Sequence, residues 1–153
     1  MSGGTGEAVF ELGTDGPARI LVGIDGSDTS LRAAAYAAGL ARRQGSRLIA
    51  LYVAPSMALA GQLAATAAAM LQTQREIAEN LRTLVTEGAR LTGVEASFVL
   101  RYGNPYRELI RVADEFRVDA VVVGASTRSG RRFVGSLAGR LVRDAKWPVT
   151  VVP

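Results

Sequence analysis

Apolar positions along the chain switch between periods of two and about 3.6, and the switches mark out its elements. Arg19-Ile20-Leu21-Val22-Gly23-Ile24-Asp25 is a short β-branched run that predicts a buried strand. Gly26-Ser27-Asp28-Thr29-Ser30 behind it is a cluster of helix-capping residues, and a helix is expected from about Leu31 to Arg43. Gly45-Ser46 breaks the chain before a second buried strand, Arg47 to Val53. A long helix follows. In it Leu63, Ala67, Met70, Gln74, Ile77, Leu81 and Leu84 recur at alternating fours and threes, so they share one face, expected to be core.

Val94 to Arg101 alternates well enough for a third strand. Gly103-Asn104-Pro105 then turns the chain into a helix containing Leu109, Ile110, Val112, Ala113 and Phe116, with Asn104 as N-cap and Pro105 at the first helical position. Asp119 opens a fourth strand, Ala120 to Gly124, whose unbroken valines imply burial on both faces. A last helix from about Ser136 to Ala145 leads through Trp147-Pro148 into a fifth strand, Val149 to Val152. Strands alternating with helices predict an α/β protein, an open five-stranded parallel sheet with helices on both faces, Rossmann-like. Residues 1–17 read as a flexible N-terminal tail and residues 18–153 as a single domain.

In such sheets a ligand lies beyond the carboxyl ends of the strands, where the winding reverses. If strands one and four are central neighbours, Asp25 to Ser30 faces Gly124 to Ser136 across that crevice. The second segment is a small basic loop that ends in Gly135-Ser136 at the mouth of a helix. It gathers backbone N–H groups, a helix N-terminus and the guanidinium groups of Arg128, Arg131 and Arg132, a combination suited to holding a phosphate.

Composition removes most other chemistry. The chain has 153 residues, about one domain. It has no cysteine and no histidine, which excludes disulfides, thiolate zinc sites, cysteine nucleophiles and any Ser-His-Asp triad within the chain. Binding is expected rather than catalysis, and neither a catalytic nor a metal-ligating residue is assigned. The formal charge is +4, and every basic residue except Lys146 is arginine. These bases are scattered and form no aromatic-rich stripe, so a nucleic-acid partner is not expected. Met1 to Gly16 lacks the basic start and apolar run of a signal peptide, and the alanine-rich run Met57 to Leu71 is too weakly apolar for a membrane span. A soluble cytoplasmic protein without membrane partners is the expectation. There is no Gly-x-x-x-x-Gly-Lys-Ser/Thr loop, and Gly23 and Gly26 do not make Gly-x-Gly-x-x-Gly, so neither a P-loop NTPase nor a dinucleotide site is present.

Ile20-Leu21-Val22-Gly23-Ile24-Asp25-Gly26-Ser27, Gly103-Asn104-Pro105, Asp119 to Gly124, and Gly135-Ser136 with a closing Pro148 to Val152 resemble the universal stress protein superfamily, in order and over roughly residues 18 to 153. The resemblance implies a sheet ordered 3-2-1-4-5, a cytoplasmic homodimer, and binding of ATP or another adenine nucleotide, with or without Mg2+, by a stress-linked regulator with at most slow hydrolysis. Carried onto this chain, it implies a site at Gly23, Ile24 and Asp25, with Asp25 at the nucleoside and Val53 beside adenine. Gly124, Ser126, Thr127, Arg128, Gly130, Gly135 and Ser136 would form the phosphate loop. The nucleotide-binding members space that loop as Gly, two residues, Gly, nine residues, Gly-Ser. Here Thr127 replaces the second glycine and seven residues separate it from Gly135, two fewer.

Plainer roles compete. Asp25 can simply cap its turn, Gly135-Ser136 can simply start a helix, and Tyr52, Tyr102 and Trp147 are expected in core or partly buried packing. The alternative function is a nucleotide-independent, dimeric interaction module. Val149 to Val152, apolar and uncharged at a sheet edge, is the expected homodimer strand.

Overall fold

A computed structural model of the chain describes residues 16–56, 64–126, 136–144 and 146–153. The predicted tail lies almost wholly outside the described residues, as do Leu63, Thr127, Arg128, Gly130 and Gly135. Strands β1 (Arg19–Gly23), β2 (Arg47–Ala54), β3 (Ala96–Tyr102), β4 (Ala120–Gly124) and β5 (Val149–Val152) alternate with helices α1 (Asp28–Gln44), α2 (Ala64–Thr92), α3 (Pro105–Glu115) and α4 (Ser136–Asp144). The strands form one parallel sheet in the order β3-β2-β1-β4-β5.

Strand alternation sorts the side chains into two cores. Ile20, Val22, Ala50, Tyr52 and Val122 face α1 and α2, where Ala33, Ala37, Ala41, Ala78 and Leu81 meet them. Leu21, Ile49, Leu51, Val121 and Val123 face α3 and α4 through Leu109, Val112, Ala138 and Leu141. Alanines along the buried stripe of α1 let that helix lie close to the sheet. Asp119 joins the central strands at their starts, its Oδ2 accepting from the backbone N–H groups of Ala18 and Arg19 at 2.9 Å each.

Four expectations are corrected. Strand β1 stops at Gly23 rather than Asp25, and α1 starts at Asp28 rather than Leu31, because Ser27 itself is the N-cap and its side chain accepts from Ser30 N. Thr29 and Ser30 are therefore buried in the first helical turn. The face of α2 turns differently from the one read off the sequence: Gln74, Ala78 and Leu81 are buried, whereas Met70 and Leu84 are exposed. Tyr52 is buried and Trp147 half-buried as expected, but Tyr102 is exposed at the end of β3. No described helix is long and apolar enough to cross a membrane.

Candidate functional site

The carboxyl ends of β1, β2 and β4 and the first turns of α1, α3 and α4 surround a crevice of about 350 Å³. Its position follows from the strand order, since the chain winds to β2 on one side of β1 and reaches β4 on the other. Gly23, Ile24, Asp25, Ser27, Thr29 and Ser30 line one wall, and Val123, Gly124, Ala125 and Ser126 line the opposite one. Half-buried Val53 of β2, backed by the buried Leu51 and by Leu109 of α3, supplies an apolar surface, while Pro105, Ser136, Leu137 and Ala138 bring in the starts of α3 and α4.

The β1–α1 turn orients Asp25, the one carboxylate among the described residues on these walls. Gly26 has φ +85°, a conformation that L side chains rarely adopt, and turns the chain sharply after Asp25. Asp25 Oδ1 accepts from Ser27 N at 2.9 Å, and Ser30 Oγ accepts from Asp25 N at 3.1 Å and donates to Ser27 O at 3.0 Å. Asp25 thus has the turn-capping role, and it is also exposed at the crevice. The Tyr52 hydroxyl lies within its electrostatic reach. Burial chiefly, and then the charge of Asp25 and the neighbouring Tyr102, push Tyr52 above its ordinary pKa of 10.0.

Gly124 is required by packing. A Cβ at this position would stand 2.6 Å from Thr29 C, 2.7 Å from Thr29 O and 2.8 Å from Ser30 N, all backbone atoms of the first turn of α1. The resemblance places this glycine in a phosphate loop, yet the approach of helix to strand by itself already forbids any side chain here. Gly23 is under no such constraint, since its Cβ would make ordinary contacts with Val123 and Leu109.

Of the expected site residues, Gly23, Ile24, Asp25, Val53, Gly124, Ser126 and Ser136 come together around the crevice. Thr127, Arg128, Gly130 and Gly135 lie outside the described residues, as do Arg131 and Arg132. Asp25 is the sole charged side chain among the described residues that line the crevice, and no described group of three or more acidic residues is placed to hold a metal. Ser27, Thr29 and Ser30 fell within the segment expected to face the crevice but had no assigned role. Leu51, Pro105 and Leu109 were missed, because nothing in their local pattern reports that β2 and α3 meet at the carboxyl end of β1.

Three comparisons bear on this arrangement. The model of the universal stress protein family matches residues 17–153. A universal stress protein of Thermus aquaticus is 32% identical over 137 residues, covering 87% of this chain and 96% of its own length. Among solved structures, the universal stress protein UspA from Lactobacillus plantarum superposes with a TM-score of 0.73 at 26% identity, over 89% of this chain and 97% of its own. A universal stress protein in complex with cAMP superposes with a TM-score of 0.67, also at 26% identity, over 90% of this chain and 97% of its own.

Proposed function

Because the chain belongs to the universal stress protein family, we propose that its crevice binds an adenine nucleotide, ATP or a relative, and that the protein is a cytoplasmic stress-response regulator with little or no turnover. The observation that carries this reading is the pairing, across one crevice, of the apolar surface of Leu51, Val53 and Leu109 with the oriented carboxylate of Asp25. An apolar surface covers a purine face, and a carboxylate accepts ribose hydroxyl protons. Ser126 and Ser136 add hydroxyls on the β4 side, where the glycine- and arginine-bearing loop of the sequence begins and ends. The crevice is of a size suited to a small molecule, and a relative of similar fold was solved with cAMP. With Asp25 as the lone described carboxylate on the walls, Mg2+ would enter on the nucleotide's own phosphates rather than in a protein cage.

Thr127 and the two-residue-shorter loop favour a second reading, in which the protein acts as a dimeric interaction module without nucleotide. Both readings place the homodimer contact on β5. Denaturing freshly purified protein and identifying any released nucleotide, then titrating emptied protein with ATP, ADP and cyclic AMP by calorimetry, separates them. Micromolar binding, about −8 kcal/mol, at one nucleotide per chain is expected. No released nucleotide and no heat would leave the interaction module.

A further inference from the structure

The crevice walls carry no cation among the described residues, although a nucleotide brings several negative charges. A cation does stand beside them. Arg140 lies one helical turn beyond Ser136 and Leu137, both of which line the crevice. Side chains on a helix lean towards its N-terminus, so Arg140 covers the turn that forms this wall. Its guanidinium carbon sits 3.8 Å from the centroid of the Tyr106 ring, and Tyr106 directly follows Pro105, another lining residue. The guanidinium is therefore held at the edge of the crevice where α3 and α4 start.

The way it is held matters. Arg47, Arg90, Arg101 and Arg111 are each tied to a carboxylate, and Arg82, which also stacks on a ring, has Glu79 as well. Arg140 is exposed and makes no ion pair or hydrogen bond to the described residues. An aromatic face orients a guanidinium without neutralising it and leaves the N–H groups along its edge able to donate to a planar anion or a phosphate.

We propose that Arg140, seated on Tyr106, binds the phosphate chain of the nucleotide and selects phosphorylated ligands over nucleosides. This rests on the nucleotide reading of the same crevice. Arg140 acts as a specificity residue that the family-like loop does not include, and its charge offsets a loop shorter than the family spacing.

The test is to titrate the full chain and its Arg140→Gln and Tyr106→Phe variants with ATP and with adenosine, and to record their melting temperatures. Arg140→Gln is expected to weaken ATP about tenfold, the loss of one charge-assisted contact, with adenosine affinity and melting temperature unchanged. Tyr106→Phe keeps the ring and should keep wild-type ATP affinity. Equal losses for ATP and adenosine with a lower melting temperature would show that the pair merely staples α3 to α4, and would overturn the proposal. So would unchanged ATP affinity in Arg140→Gln. If the wild-type chain binds neither ligand, the nucleotide reading falls and this proposal with it; if the wild type binds ATP and Arg140→Gln binds it equally well, this proposal alone falls.

Discussion

Gly124 shows at the scale of one residue how packing and ligand binding can demand the same side chain for different reasons. A methyl group there would press on the backbone of Thr29 and Ser30, which has no flexible end to move aside. Gly124→Ala is therefore expected to cost about 2 kcal/mol in urea unfolding, in the range of other overpacked sites. Gly23→Ala, with contacts at 3.7 and 3.8 Å, should change stability by less than about 1 kcal/mol. Equal losses in the two variants would mean that α1 moves away from β4 more readily than its buried first turn implies. Asp25 is the complementary case. Its type, next to Gly26 and Ser27, was legible as a turn former, but its exposure at the crevice and its influence on Tyr52 depend on strands that the local sequence does not mention.

Among the elements, α2 is where periodicity misled. Heptad-like spacing joined Met70, Gln74, Ile77, Leu81 and Leu84 into one stripe, yet the buried stripe runs through Gln74, Ala78 and Leu81, with Ile77 and Val85 half-buried beside it. The buried stripe is rotated about the helix axis towards Ala78 and Val85, which leaves Leu84, at the opposite margin of the stripe read from sequence, off the core. Arg82 over the Phe98 ring, 4.9 Å from its centroid, helps to define the side that α2 turns to β3. Leu81→Ala should cost about 2–4 kcal/mol and Leu84→Ala less than about 1 kcal/mol by urea unfolding. A larger loss at Leu84 would restore the stripe read from sequence. Capping residues proved more dependable signals than apolar spacing. Asn104 Oδ1 accepts from Arg107 N at 3.1 Å and Pro105 opens α3, because a cap is a local interaction that needs no distant partner.

At the scale of the whole molecule, the open edge of the sheet at β5 bears on assembly. Backbone carbonyls of Pro148 and Val152 accept from β4 and the loop after it, at Val121 N and Ala125 N. In a parallel ladder the N–H and C=O of one residue point the same way, so those of Val151, one residue from Val152, point to the free edge. Val151→Pro removes an edge donor while sparing the ladder to β4. If β5 is the homodimer strand, this variant should sediment as a monomer while the wild type sediments as a dimer; an unchanged mass would move the interface elsewhere. The alternating periods, the caps, the turn glycines and the absence of histidine and cysteine were all determined by the sequence itself, because each depends on neighbours within a turn or a strand. Strand order 3-2-1-4-5 reached the sequence reading only through the family resemblance and is the order observed, whereas the crevice walls at Leu51 and Leu109, the burial of α2 and the stacking of Arg140 on Tyr106 were decided only by tertiary structure, since each pairs residues distant along the chain whose meeting no local pattern encodes.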